Sequence, residues 1–111
     1  MGSRANVRHL VRLKVELQGV DSDGNGFRQT VFTHNVSRRG ARLLDTPRLL
    51  EPAAIVELHH RGRSGRFRVV WVGGFDHDEA GLESLESSQC IWGNPLPGQP
   101  ITTREPANLG Q

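Results

Sequence analysis

Arg12-Leu13-Lys14-Val15-Glu16-Leu17-Gln18 alternates without interruption: Leu13, Val15 and Leu17 are apolar, and Arg12, Lys14, Glu16 and Gln18 are polar. Successive side chains of a strand point to opposite faces, so a period of two marks a half-buried β-strand. The same texture continues downstream. Phe27 to Thr33 puts Phe27, Gln29, Val31 and Thr33 on one face of a second strand, and Ala41 to Leu44 makes a third. Asp45-Thr46-Pro47 ends the third strand, because proline has no N–H to give a ladder. Leu49 and Leu50 are expected to plug one end of the sheet. A fourth strand runs from Ala54 to His60, and Arg61-Gly62-Arg63-Ser64-Gly65 reads as a turn. The fifth strand, Arg66 to Val72, has an apolar centre expected to be buried on both faces, with Trp71 in the core. Ala80 to Leu85 forms the sixth, and Ile91 and Trp92 are expected to fold back onto the core. Six short strands with regular turn signals and almost no helical periodicity predict an all-β fold, a small six-stranded antiparallel β-barrel with little helix.

At 111 residues the chain is read as one domain with a modest core. The predicted organisation is a flexible basic segment over 1–11, the barrel over 12–93, and a proline-rich, disordered tail over 94–111. No apolar run approaches the ~20 residues that span a bilayer, so no membrane insertion is expected. The first fifteen residues carry Arg4, Arg8, Arg12 and Lys14, which does not suit a secretory signal. A single cysteine, Cys90, excludes an internal disulfide framework and fits a reducing, cytoplasmic location.

Charge is distributed unevenly. Thirteen of the fourteen Lys and Arg residues and six of the twelve acids fall within 1–68, a formal +7, which leaves −5 for 69–111. Thirteen of the basic residues are arginine, whose planar fork matches phosphate and planar acceptors. Several apparent motifs lead elsewhere and are set aside. Asp21-Ser22-Asp23-Gly24-Asn25-Gly26 opens like a calcium loop, but Phe32 stands where its twelfth-position glutamate is required, so a glycine-rich hairpin is the expectation. His9, His34, His59, His60 and His77 lack metal-ligand spacing, and Cys90 has no base beside it in sequence. No enzyme, metal or cofactor is expected. Few aromatic residues argue against a nucleic-acid surface, so no DNA or RNA partner is expected.

The remaining feature is Asn35-Val36-Ser37-Arg38-Arg39-Gly40. Asn35 and Ser37 bend a chain and hydrogen-bond locally, Gly40 can take a positive φ without steric cost, and Arg38 and Arg39 supply forked donors. Upstream lies Arg8-His9-Leu10-Val11-Arg12, and Arg4 and Arg8 repeat the same spacing. In this order, with twenty-two residues between Arg12 and Asn35, the pair resembles the Arg-x-x-x-Arg and [Asp/Asn]-x-Ser-x-x-Gly motifs of PilZ domains. The sequel Gly40-Ala41-x-Leu43, then Val69-Val70-Trp71-Val72 and Gly81-Leu82-Glu83, is similar to that family over roughly residues 4–93. Asn35 stands where aspartate is more frequent, which removes a carboxylate that would accept from a guanine edge.

The resemblance implies a bacterial, single-domain receptor for the second messenger cyclic di-GMP, an adaptor that changes conformation and signals through a protein effector. By the same resemblance, Arg8 and Arg12 clamp phosphate and guanine, Asn35 bonds a guanine edge and Ser37 contributes its hydroxyl. Gly40 admits the ligand to the backbone, and Arg38 or Arg39 adds a phosphate contact. The alternative implied is a degenerate barrel of this kind that has lost nucleotide binding and serves as a protein-interaction module.

Overall fold

The computed structural model describes residues 7–86 and 90–101. Eight strands form: β1 (His9–Leu10), β2 (Lys14–Val20), β3 (Gly26–Ser37), β4 (Gly40–Leu44), β5 (Ile55–His60), β6 (Arg63–Gly73), β7 (Glu79–Ser84) and β8 (Gln99–Pro100). Among the described residues there is no helix. The sheet runs β2-β5-β6-β7-β4-β3, and β3 pairs back onto β2, so six antiparallel strands close a barrel. This is the predicted architecture. Closure removes the unpaired sheet edges that a six-stranded open sheet would expose.

Alternation is what fills the barrel. Val15 and Leu17 of β2, Val31 of β3, Leu43 of β4, Val56 and Leu58 of β5, Phe67 and Val69 of β6, and Leu82 of β7 are all buried. Each such side chain stabilises the fold by about 1.5–3 kcal/mol relative to exposure. Leu50 covers the core from the β4–β5 crossover, whereas its neighbour Leu49 stays 46% exposed, so the expected plug consists of one leucine. Ile91 and Trp92 pack back as expected, with the Trp92 ring 6.3 Å from Phe67 and 5.6 Å from His60.

Four expectations are corrected. Arg63, Ser64 and Gly65 are not turn but the first residues of β6; the turn is Arg61-Gly62 alone, both with positive φ (51° and 82°). The second strand, expected to end at Thr33, continues as β3 to Ser37, which pairs with Gly40, so only Arg38-Arg39 remain as the turn before β4. The apolar centre of β6 is not buried on both faces: Val70 is 50% and Trp71 40% exposed. A register shift between Val69 and Trp71 lets both side chains leave the core side, as an extra residue in a bulge does. Finally, two short strands occupy segments read as loose chain. β1, within 1–11, pairs with β3, and β8, within 94–111, pairs with β1. The other residues assigned to those two segments include 1–6 and 102–111, which lie outside the described residues.

β1 and β2 share one side of β3, separated by a break at Val11–Leu13. Thr33, fully buried, patches it. Its hydroxyl donates to the Val11 carbonyl at 2.6 Å and accepts from the Leu13 N–H at 2.9 Å, while Val11 N–H donates to the His34 carbonyl at 3.2 Å. Thr33→Val keeps the shape and removes both side-chain bonds. The expected loss is about 2 kcal/mol, from two backbone groups left without a partner, measured as a lower midpoint in urea unfolding.

The Asp21–Asn25 segment is the expected hairpin. The Asp21 carboxylate accepts from the backbone N–H groups of Asp23 and Asn25, both at 2.9 Å, and Gly24 takes a φ of 85°. Its oxygen is engaged in making the turn.

Candidate functional site

Antiparallel partners share a sheet face, so the register places the motif residues. Leu10 of β1 pairs with Asn35 of β3, Asn35 with Arg42 of β4, Arg42 with Gly81 of β7, and Gly81 with Trp71 of β6. The adjacent row is Ser37, Gly40, Glu83 and Arg68. With Val36, Ala41 and Leu82 buried in the core between them, both rows lie on the outside of the barrel.

The first motif reaches the second there. The Arg8 guanidinium donates through Nη1 to Asn35 Oδ1 at 2.7 Å. Asn35, only 7% exposed, turns its Nδ2 toward Nδ1 of His34 at 3.1 Å. Burial lowers the Arg8 pKa from its ordinary value. An arginine keeps its proton even so, and the result is a half-buried cation at the sheet edge, without an acidic partner among the described residues. β1 is held at this place from its far side, where Ile101 N–H donates to the Arg8 carbonyl at 2.8 Å and His9 Nδ1 to the Pro97 carbonyl at 3.1 Å.

The other named residues divide. Arg12 is exposed and its guanidinium lies 4.2 Å above the Phe32 ring, a cation–π contact that leaves its donors available. Ser37 is fully buried, and its hydroxyl accepts from the Arg39 N–H at 3.2 Å, so it makes the hairpin turn. Gly40 is required by packing: a Cβ there would overlap the Leu82 carbonyl of β7. Arg38 and Arg39 project from the turn, exposed, with no side-chain hydrogen bond or ion pair among the described residues. The structure thus joins Arg8 to Asn35, places Ser37 and Gly40 in the next row, and leaves Arg12, Arg38 and Arg39 around them as unpaired cations.

No family model, curated protein or solved structure matches the chain.

Two members of the face escaped the sequence reading. Arg42 lies beside Asn35, donates to the Glu79 carboxylate at 2.7 Å and has its guanidinium 6.0 Å from the Trp71 ring centroid. Trp71 itself lies flat on Gly81, where any side chain would meet its indole. The result is a shelf of exposed aromatic surface in line with the Asn35 amide. Alternation within Ala41-Arg42-Leu43 does place Arg42 outward; nothing local to Trp71 announces the bulge that turns it out. Among the described residues no three His, Cys, Asp or Glu groups cluster so as to hold a metal, and no helix is long and apolar enough to cross a membrane. Guanidinium groups without acidic partners among the described residues, and the exposed Trp71 ring, give this surface positive charge and an aromatic face, while the Asn35 amide is engaged by Arg8 and His34.

Proposed function

We propose that the chain is a PilZ-like receptor that binds cyclic di-GMP on this face and, as a cytoplasmic bacterial adaptor, relays binding to a protein effector without catalysis. The observation that supports the reading most is the bond between Arg8 and Asn35. Two motifs far apart in sequence meet on the outer wall of a closed barrel, with unpaired arginines on either side. Phosphate takes the forked donors of Arg8 and Arg12, and guanine offers its O6 and N7 acceptors to the same geometry. On binding, Arg8 exchanges its amide acceptor for a phosphate oxygen, and β1 is the element whose position changes.

One observation favours the second reading, a barrel that no longer binds nucleotide. Asn35 and Ser37 already have protein partners, so neither needs a ligand to be satisfied. Calorimetry with cyclic di-GMP at low salt, beside an oligonucleotide control, separates the two. Binding is expected, and it is expected to weaken as salt screens the phosphate contacts. No heat, together with no displacement of a labelled analogue, would leave the interaction module as the reading.

A further inference from the structure

Away from the motif face, a cavity of about 280 Å³ opens at the barrel end covered by Ile91 and Trp92. Its walls are Leu13 at the β1–β2 break, His60 and Arg61 at the end of β5, Arg63 at the start of β6, and Pro97. Trp92 and Ile91, both almost fully buried, supply an apolar floor. His60, 7% exposed, is oriented by donation from Nδ1 to the Lys14 carbonyl at 3.3 Å, and its ring sits against Trp92. The rim is basic. The Arg63 guanidinium folds back against Gly93, 3.4 Å from where a Cβ would stand there.

Charge at this rim is uncompensated. Arg28, Arg42, Arg48, Arg66 and Arg68 each have a carboxylate partner. Arg61 and Arg63 have none among the described residues, and no acid lines the cavity. An apolar floor with a few converging polar groups is the usual composition of a small-molecule site, and this volume lies just below the usual range of about 300–1,000 Å³, which limits the ligand to a small one. Two guanidinium groups without counter-ions at the mouth select for negative charge.

We propose that this cavity is a second ligand site, for a small organic anion with an aromatic or apolar body. Its anionic head lies between Arg61 and Arg63, and its body rests on Trp92 and Ile91. The site shares none of its lining residues with the motif face, so it stands whether or not cyclic di-GMP binds there.

The test is amide and indole NMR on the full chain, with three probes: 3-phenylpropionate, the neutral 3-phenylpropanol and inorganic phosphate. Titration with 3-phenylpropionate is expected to shift the Trp92 indole N–H and the amides of Gly62 and Arg63. Phenylpropanol and phosphate, each lacking one half of the recognition, are expected to bind at least about tenfold more weakly. Arg63→Gln, and Arg61→Asn, which keeps a residue tolerant of the turn's positive φ, are expected to weaken 3-phenylpropionate about ten- to a hundredfold. Arg38→Gln is expected to leave it unchanged. Equal binding of the alcohol would overturn the role of the arginines, and equal binding of phosphate would overturn the role of the floor. Shifts confined to the motif face, or no shifts at millimolar probe, would overturn the site itself.

Discussion

Gly40→Ala is expected to cost about 3 kcal/mol or more and to take the urea midpoint down with it. The added methyl would overlap the Leu82 carbonyl oxygen. That oxygen belongs to the backbone of a paired strand, so no side chain can swing aside to make room. Overpacking with a movable neighbour typically costs about 1–3 kcal/mol; here β4 must separate from β7, breaking the register Gly40–Glu83 and Ala41–Leu82. Against a total of about 5–15 kcal/mol for a domain, about 2–12 kcal/mol would remain, so the barrel stays mostly closed in water and the loss is read from the urea midpoint. An unchanged midpoint would mean that the β4–β7 contact is looser than described. Such a result would return Gly40 to the role its motif suggests, admitting a ligand and nothing more.

Arg8→Ala carries the largest expected effect on binding. Losing a charge-assisted contact to phosphate is worth about 1.5–3 kcal/mol, hence roughly a ten- to hundredfold weaker dissociation constant for cyclic di-GMP. The same substitution leaves Asn35 Oδ1 without its donor in a 7% exposed residue, at a stability cost of about 1–3 kcal/mol. Unfolding and binding must therefore be measured on one preparation. Arg8→Lys separates the two roles, since it keeps the charge and gives up the planar fork; it is expected to recover stability more fully than affinity. Ser37→Ala, which removes a neutral bond to the Arg39 N–H, is expected to affect affinity less. Parental affinity in a folded Arg8→Ala variant would remove the motif arginine from the site.

The barrel was legible where its signal is local. Alternation in Lys14–Gln18 depends only on which face each residue turns to the core, and the order of apolar and polar residues states that directly. What escaped was non-local. Gly65 looked like a turn residue because glycine is common in turns; it lies within β6, where a Cβ would press within 3.2 Å of Ile91, a residue brought there by the chain after β7. Trp71 looked like core because large aromatics are usually buried; a one-residue shift of register put it outside. β1 and β8 have two residues each, too few for any period, and exist because β1 finds β3 and β8 finds β1. The site divides in the same way. Arg8 and Asn35 were named from the resemblance of their motifs to PilZ domains and do meet, but Arg42 joined them through a pairing that no local pattern in the chain contains.

The junction of β1 with β8 has a kinetic meaning. His9 opposes Pro100, so this pairing spans nearly the whole described chain, and the loop it closes is among the most expensive in entropy. Only two residues on each side repay that cost. Such a pairing zips last when the protein folds and is the first to come undone in the native state, opening as a small unit while the six-stranded barrel stays shut. Arg8 and Arg12 flank the element that opens. Arg8 and Arg12 thus sit beside the least cooperative part of the molecule; an outward move there gives up the Asn35 bond and the Phe32 contact but none of the strand pairings that close the barrel.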